Sequence, residues 1–112
     1  ADETGEGAGL GFNMNLPLAA GSSSATWFAA LETACYKLAS FGAEALVVSL
    51  GVDTFIGDPL SHFSLQSGDF LRVGERIAHL GLPTVFVMEG GYAVAEIGIN
   101  VVNVLEGYET AA

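Results

Sequence analysis

At 112 residues the chain has room for one domain with its own core and no more. Hydrophobic residues make up 51% and charged residues 14%, which excludes disorder, and the longest apolar runs stop well short of the roughly 20 residues of a membrane-spanning helix. The net charge is −10 and Lys37, Arg72 and Arg76 are the only strong cations, so the phosphate neutralisation that nucleic-acid binding demands is excluded as well.

The opening, Ala1 to Leu10, carries Asp2, Glu3, Glu6 and several glycines without apolar periodicity, and reads as a flexible lead-in with no signal-peptide pattern. From Gly11 to Leu18, Phe12, Met14 and Leu16 alternate with Asn13 and Asn15, which predicts a half-buried strand ended by Pro17. Gly21 and the serines Ser22 to Ser24 predict a turn and a cap. A helix is expected from about Ala25 to Ser40, with Trp27, Phe28, Leu31, Cys35 and Leu38 on one face and Gly42 at its C-terminus. Cys35 is the sole cysteine, so no internal disulfide or multi-cysteine metal site exists; an inert thiol in a reducing cytoplasm is the expectation.

Ala45 to Leu50 reads as a strand buried on both faces of a parallel sheet. After a loop from Gly51 to Phe63, Ser67 and Asp69 can start a second helix running to about Leu80, with Phe70, Val73, Ile77 and Leu80 inward. Pro83 ends it, and Thr84 to Met88 makes another buried strand. A third helix is expected after Tyr92 and up to about Glu106, with Val94, Ile97, Val101, Val102 and Leu105 apolar. This alternation of strands and helices predicts an α/β fold with a parallel sheet.

Ligands of open α/β sheets bind outside the carboxyl ends of the strands. Two loops occupy that edge, Gly51 to Leu60 and Glu89-Gly90-Gly91-Tyr92. Asp53 would point into a partly desolvated cleft, where a carboxylate must be paired, protonated or metal-bound, unless it caps a helix or turn. Asp58, before Pro59, reads as a turn residue. Tyr92 follows two glycines that admit close backbone approach; its hydroxyl can donate to a developing oxyanion, or its ring can serve the core. His62 shares a loop with Asp53, His79 falls near the end of the second helix, and neither has an evident nucleophile beside it. The glycines at 5, 7, 9 and 11 do not form a dinucleotide fingerprint.

Four segments, taken in order and spacing, resemble the histone deacetylase and acetylpolyamine amidohydrolase superfamily: Gly9 to Leu18, Ser49-Leu50-Gly51-Val52-Asp53-Thr54, Asp58-Pro59-Leu60 and Glu89-Gly90-Gly91-Tyr92. The tail from Phe86 to Tyr92, followed by Glu96 to Val101, looks most like the bacterial acetylpolyamine amidohydrolase branch; eukaryotic histone deacetylases tend to have glycine where Glu89 stands. The resemblance implies a three-layer αβα, arginase-like deacetylase fold, of which residues 1–112 form the C-terminal portion with the upstream half absent. It also implies removal of acetyl groups from acetylated amines, with a catalytic Zn2+, or another divalent metal, held by two aspartates and a histidine. Asp53 matches the last of those aspartates, and Tyr92 the tyrosine that polarises the substrate carbonyl. Leu60 matches a residue lining the acyl channel, Gly90 and Gly91 the backbone beside it, and Phe12 lies near a K+ site built from backbone carbonyls. Implied partners are the acetylated amine, the upstream part of the same enzyme and a further copy in a homo-oligomer. The competing reading is a non-catalytic α/β module that keeps the fold for binding or assembly.

One carboxylate cannot hold a catalytic zinc, which normally has three protein ligands. The purified 112-residue chain is therefore expected to lack zinc-dependent turnover and, with sheet edges exposed, to aggregate. Robust turnover in a metal-supplemented assay, or a monomeric and cooperatively melting chain, would contradict this.

Overall fold

A computed structural model describes residues 2–112. A short 3-10 turn, Gly7–Gly9, precedes helix α1 (Ser24–Phe41), strand β1 (Leu46–Leu50), helix α2 (Ser67–Ala78), strand β2 (Thr84–Met88) and helix α3 (Ile97–Ala111). The two strands pair in parallel with Leu46 opposite Thr84 and Leu50 opposite Met88, so the chain is α/β with a parallel sheet, as its alternating pattern predicts.

Local chemistry sets the boundaries. The Ser23 side chain accepts from the Thr26 N–H and opens α1; Gly42 closes it at φ 82°, where only glycine is unstrained. At the start of α2, Asp69 reaches back to accept the Gln66 N–H at 3.0 Å, so the carboxylate sits in the first turn, where the helix dipole favours it.

Leu50, Val52, Leu65, Phe70, Val73, Ile77 and Val104 form the core, with Val48 and Phe86 packed against it from the sheet and Trp27 and Phe28 from α1. Full burial of a side chain such as Phe70 contributes about 1.5–3 kcal/mol. Outside this core, the Arg72 guanidinium lies 4.0 Å from the Phe28 ring centre and Arg76 pairs with Glu32, so both arginines join α2 to α1.

Helices α2 and α3 meet at glycines. A Cβ on Gly74 would lie 1.9 Å from the Val104 carbonyl oxygen, and one on Gly107 would lie 2.0 Å from that of Leu71. Backbone therefore packs directly on backbone, and the buried face of α3 is Asn100, Val104 and Gly107.

Four expectations are corrected. Residues 11–18 form no strand, because no neighbour among the described residues offers them a ladder; Phe12, Met14 and Leu16 stay exposed. The strands are covered on one face only: Val47, Val85 and Val87, on the other face, are exposed. Helix α3 begins only at Ile97 and runs past Glu106 to Ala111, so Val94 lies outside it; its glycine contact with α2 leaves the apolar Val102 and Leu105 exposed. Leu80 lies beyond the end of α2, half-buried.

The glycine contact is testable in the longest natural polypeptide that contains this segment. Gly74→Ala is expected to cost about 1–3 kcal/mol or more by overpacking. Gly98→Ala, in α3 where a Cβ meets nothing within 4 Å, should stabilise by roughly 0.5–1 kcal/mol. Denaturant melts of both variants check the pair, and equal effects would contradict the packing account.

Candidate active-site edge

The parallel pairing continues past the strands. The Glu89 N–H donates to the Leu50 carbonyl and the Val52 N–H to the Gly90 carbonyl, each at 2.9 Å. These two bonds set the loop after β1 beside the loop after β2, at the carboxyl edge where α/β sheets bind ligands.

Asp53 leaves β1 into this junction and caps no helix, since α2 begins only at Ser67. The turn after it is closed by the Val52 carbonyl, which accepts from the Phe55 N–H at 3.3 Å. Its carboxylate stands in a space that only glycines leave open: a Cβ on Gly90 would lie 2.5 Å from Asp53 Oδ2, and one on Gly51 would lie 2.9 Å from Oδ1. Gly91 adopts φ +143° and faces Val52, whose Cγ2 would be 2.6 Å from an added Cβ. The close approach made by Gly90 and Gly91 is thus to the Asp53 side chain and to the core beneath it.

The rest of the first loop folds back on itself. The Ile56 N–H donates to the Leu65 carbonyl at 2.7 Å and the Leu65 N–H to the Thr54 carbonyl at 3.1 Å, while Leu65 is fully buried. Asp53, Thr54, Leu60, Ser61, His62 and Phe63 line an open cleft of ≈ 350 Å³ together with Leu18 and Ala20. Asp53 and Leu60 are therefore brought together. Tyr92 does not line this cleft; its side chain is half-exposed at the neighbouring loop, which sets aside a role in the core.

Asp58 is more than a turn residue. It accepts from the Leu60 N–H through Oδ1, as a turn aspartate does, and from the Tyr92 N–H through Oδ2, both at 2.8 Å. Burial pushes its pKa up, but the backbone N–H groups of Tyr92, Leu60, Ser61 and Ala93 outweigh burial and hold the carboxyl below its usual range. The bond to Leu60 is the local turn contact expected of an aspartate before proline. A partner 34 residues away leaves no local trace, and only the Asp-Pro-Leu segment pointed to the place.

As a metal site the residues are incomplete. Asp53 has the donor chemistry and the cleared space for one ligand position, and His62 lines the same cleft, yet no group of three His, Cys, Asp or Glu side chains converges among the described residues. His79 lies at the end of α2 beside Glu32 and Arg76, remote from the two loops. Phe12 packs edge-to-face on Phe41, 5.6 Å between ring centres, away from the junction.

The structure thus sets an aspartate and a tyrosine on adjacent carboxyl-edge loops of a parallel α/β unit, the placement that the resemblance to histone deacetylase-type enzymes implies. The histone deacetylase domain profile matches residues 1–108, and the chain belongs to that family. It is 62% identical over 73 residues to acetylpolyamine amidohydrolase 2 of Pseudomonas aeruginosa, and 53% identical over 71 residues to the acetylpolyamine amidohydrolase of Mycoplana ramosa. These matches cover 65% and 63% of the chain and 21% of each relative, so the matched stretch spans about a fifth of their length. The crystal structure of acetylpolyamine aminohydrolase from Burkholderia pseudomallei superposes with a TM-score of 0.95 at 41% identity, over 98% of this chain and 32% of that one. No described helix is long and apolar enough to cross a membrane.

The acid limb of stability tests Asp58. A carboxyl held below its unfolded pKa of about 3.9 contributes stability that is full above that pH and is lost as pH falls through the folded value. Asp58→Asn should thus lower the melting temperature most at pH 5–7 and progressively less below about pH 4. A deficit independent of pH would contradict an ionised Asp58.

Proposed function

We propose that this chain is the C-terminal part of a metal-dependent amidohydrolase that removes acetyl groups from amines, with acetylated polyamines favoured over acetyl-lysine peptides. The observation that carries the reading is the paired carboxyl edge: Asp53 in a space cleared by Gly51 and Gly90, beside a loop that presents Tyr92 half-exposed. The preference for polyamines rests on the named relatives above, and membership of the histone deacetylase domain family supports the reaction class.

In this reading Asp53 supplies one ligand to a divalent metal, Zn2+ in the first instance, whose remaining ligands come from sequence outside residues 1–112. The bound metal would supply Lewis acidity and an activated water at neutral pH. The chain's own residues do the rest of what can be assigned to it. Tyr92 donates its phenol proton in a hydrogen bond to the acetamide oxygen as negative charge develops there, and Leu60, exposed on the cleft beside Asp53, lies against the acyl chain of the substrate. The glycines at 90 and 91 keep the wall between these groups free of side chains. A K+ ion on backbone carbonyls near Phe12 belongs to the same reading and acts on structure.

The test is deacetylation by the longest natural polypeptide containing this segment, with an acetylated polyamine and an acetyl-lysine peptide, with and without a chelator. Chelator-sensitive turnover favouring the polyamine is expected, and Tyr92→Phe should lower kcat by roughly 10²–10³, the scale of a lost oxyanion donor. Peptide preference would overturn the substrate assignment. Absence of turnover in metal-loaded protein would leave a non-catalytic module as the better account.

A further inference from the structure

Asp58 joins the two loops of the site with one side chain. Asp58 is buried, 6% exposed as a residue, and its two carboxylate oxygens take the Leu60 and Tyr92 amides at equal distance, one on each loop. An ionised carboxylate is acceptor-only and serves two N–H donors at once. An amide of the same size turns a donor toward one of them. Tyr92 needs such an anchor, because the residue before it is Gly91 at φ +143°, in a region glycine enters without strain and leaves as readily. With its amide held, the Tyr92 ring swings from a fixed point; released, the Gly91-Tyr92 stretch is free to shift between Gly90, bonded to Val52, and Ala93, bonded to Glu96 and Ile97.

We propose that Asp58 is a positioning residue for Tyr92: its buried carboxylate fixes the Tyr92 amide and through it the place of the phenol hydroxyl relative to Asp53, so that turnover depends on it more than substrate binding does. The inference rests on the amidohydrolase reading and adds a residue that acts without touching substrate. A displacement near 1 Å of a catalytic group costs on the order of 10²-fold in rate, so the second-hand effect is large enough to read.

The experiment is a double-mutant cycle in the longest natural polypeptide containing this segment, with metal content matched and kcat and KM measured on an acetylated polyamine. Asp58→Asn should lower kcat on the order of 10–10²-fold with KM changed by less than about threefold. In the Tyr92→Phe background the same substitution should cost less than about threefold, since the hydroxyl it positions is gone. If Asp58→Asn yields no folded protein, Asp58→Glu replaces it: the extra methylene moves the anchored amide, and the same non-additive loss is expected. Additive losses, an effect on KM alone, or wild-type kcat in the folded variant would overturn the inference while leaving the function standing. A wild-type enzyme inactive toward acetylated amines would overturn both.

Discussion

Two backbone hydrogen bonds beyond the strand ends, from Glu89 to Leu50 and from Val52 to Gly90, are the constraint on which the site depends. Parallel strands cannot be joined by a tight turn, so their carboxyl ends release two loops in the same direction, and extending the ladder by two bonds keeps those loops in contact. Asp53 and the Glu89 to Tyr92 turn are neighbours for that reason. Once they are this close there is no volume for a side chain at Gly51 or Gly90, and the carboxylate fills the space that a Cβ would take. The glycines are thus a steric consequence of bringing a carboxylate between two paired backbones.

The scaffold behind this edge follows the same economy of space. Gly74 and Gly107 let α2 and α3 pack backbone to backbone, and Val104 of α3 joins Leu65, Phe70 and Val73 in the core. Tyr108 at the far end of α3 stacks edge-to-face on Phe86, 5.4 Å between ring centres, and donates its hydroxyl to the Leu82 carbonyl. That contact ties α3 to the start of β2, so the strand that carries Tyr92 outward is held at both ends. Against this stands Asn100, buried with neither side-chain polar atom paired among the described residues.

Much of this was legible in the amino-acid order because the governing interactions are local. The stretch from Thr84 to Met88 reads as a strand and is one; serine before and glycine after mark α1; the three- and four-residue spacing of Phe70, Val73 and Ile77 gives the inner face of α2. The rule that ligands bind at the carboxyl edge singles out the loops of Asp53 and Tyr92, and the structure does set those loops side by side. What escaped depends on partners far along the chain. The alternation of Phe12, Met14 and Leu16 is a strand pattern with no ladder among the described residues. The buried stripe of α3 is chosen by where glycine meets α2, so its most apolar residues are not its most buried. Asp58 looks like any aspartate before proline until Tyr92 folds onto it.

We propose that the junction of these two loops is where a divalent metal on Asp53 and the Tyr92 hydroxyl face the same substrate oxygen. Crystals of the longest natural polypeptide containing this segment, loaded with zinc and soaked with an acetylated polyamine, would test it most directly by anomalous scattering. The account predicts a metal about 2.0–2.2 Å from an Asp53 carboxylate oxygen, with the Tyr92 hydroxyl within hydrogen-bond distance of the acetamide oxygen. A metal bound elsewhere with Asp53 free, or a Tyr92 hydroxyl turned away from the bound acetamide, would contradict it.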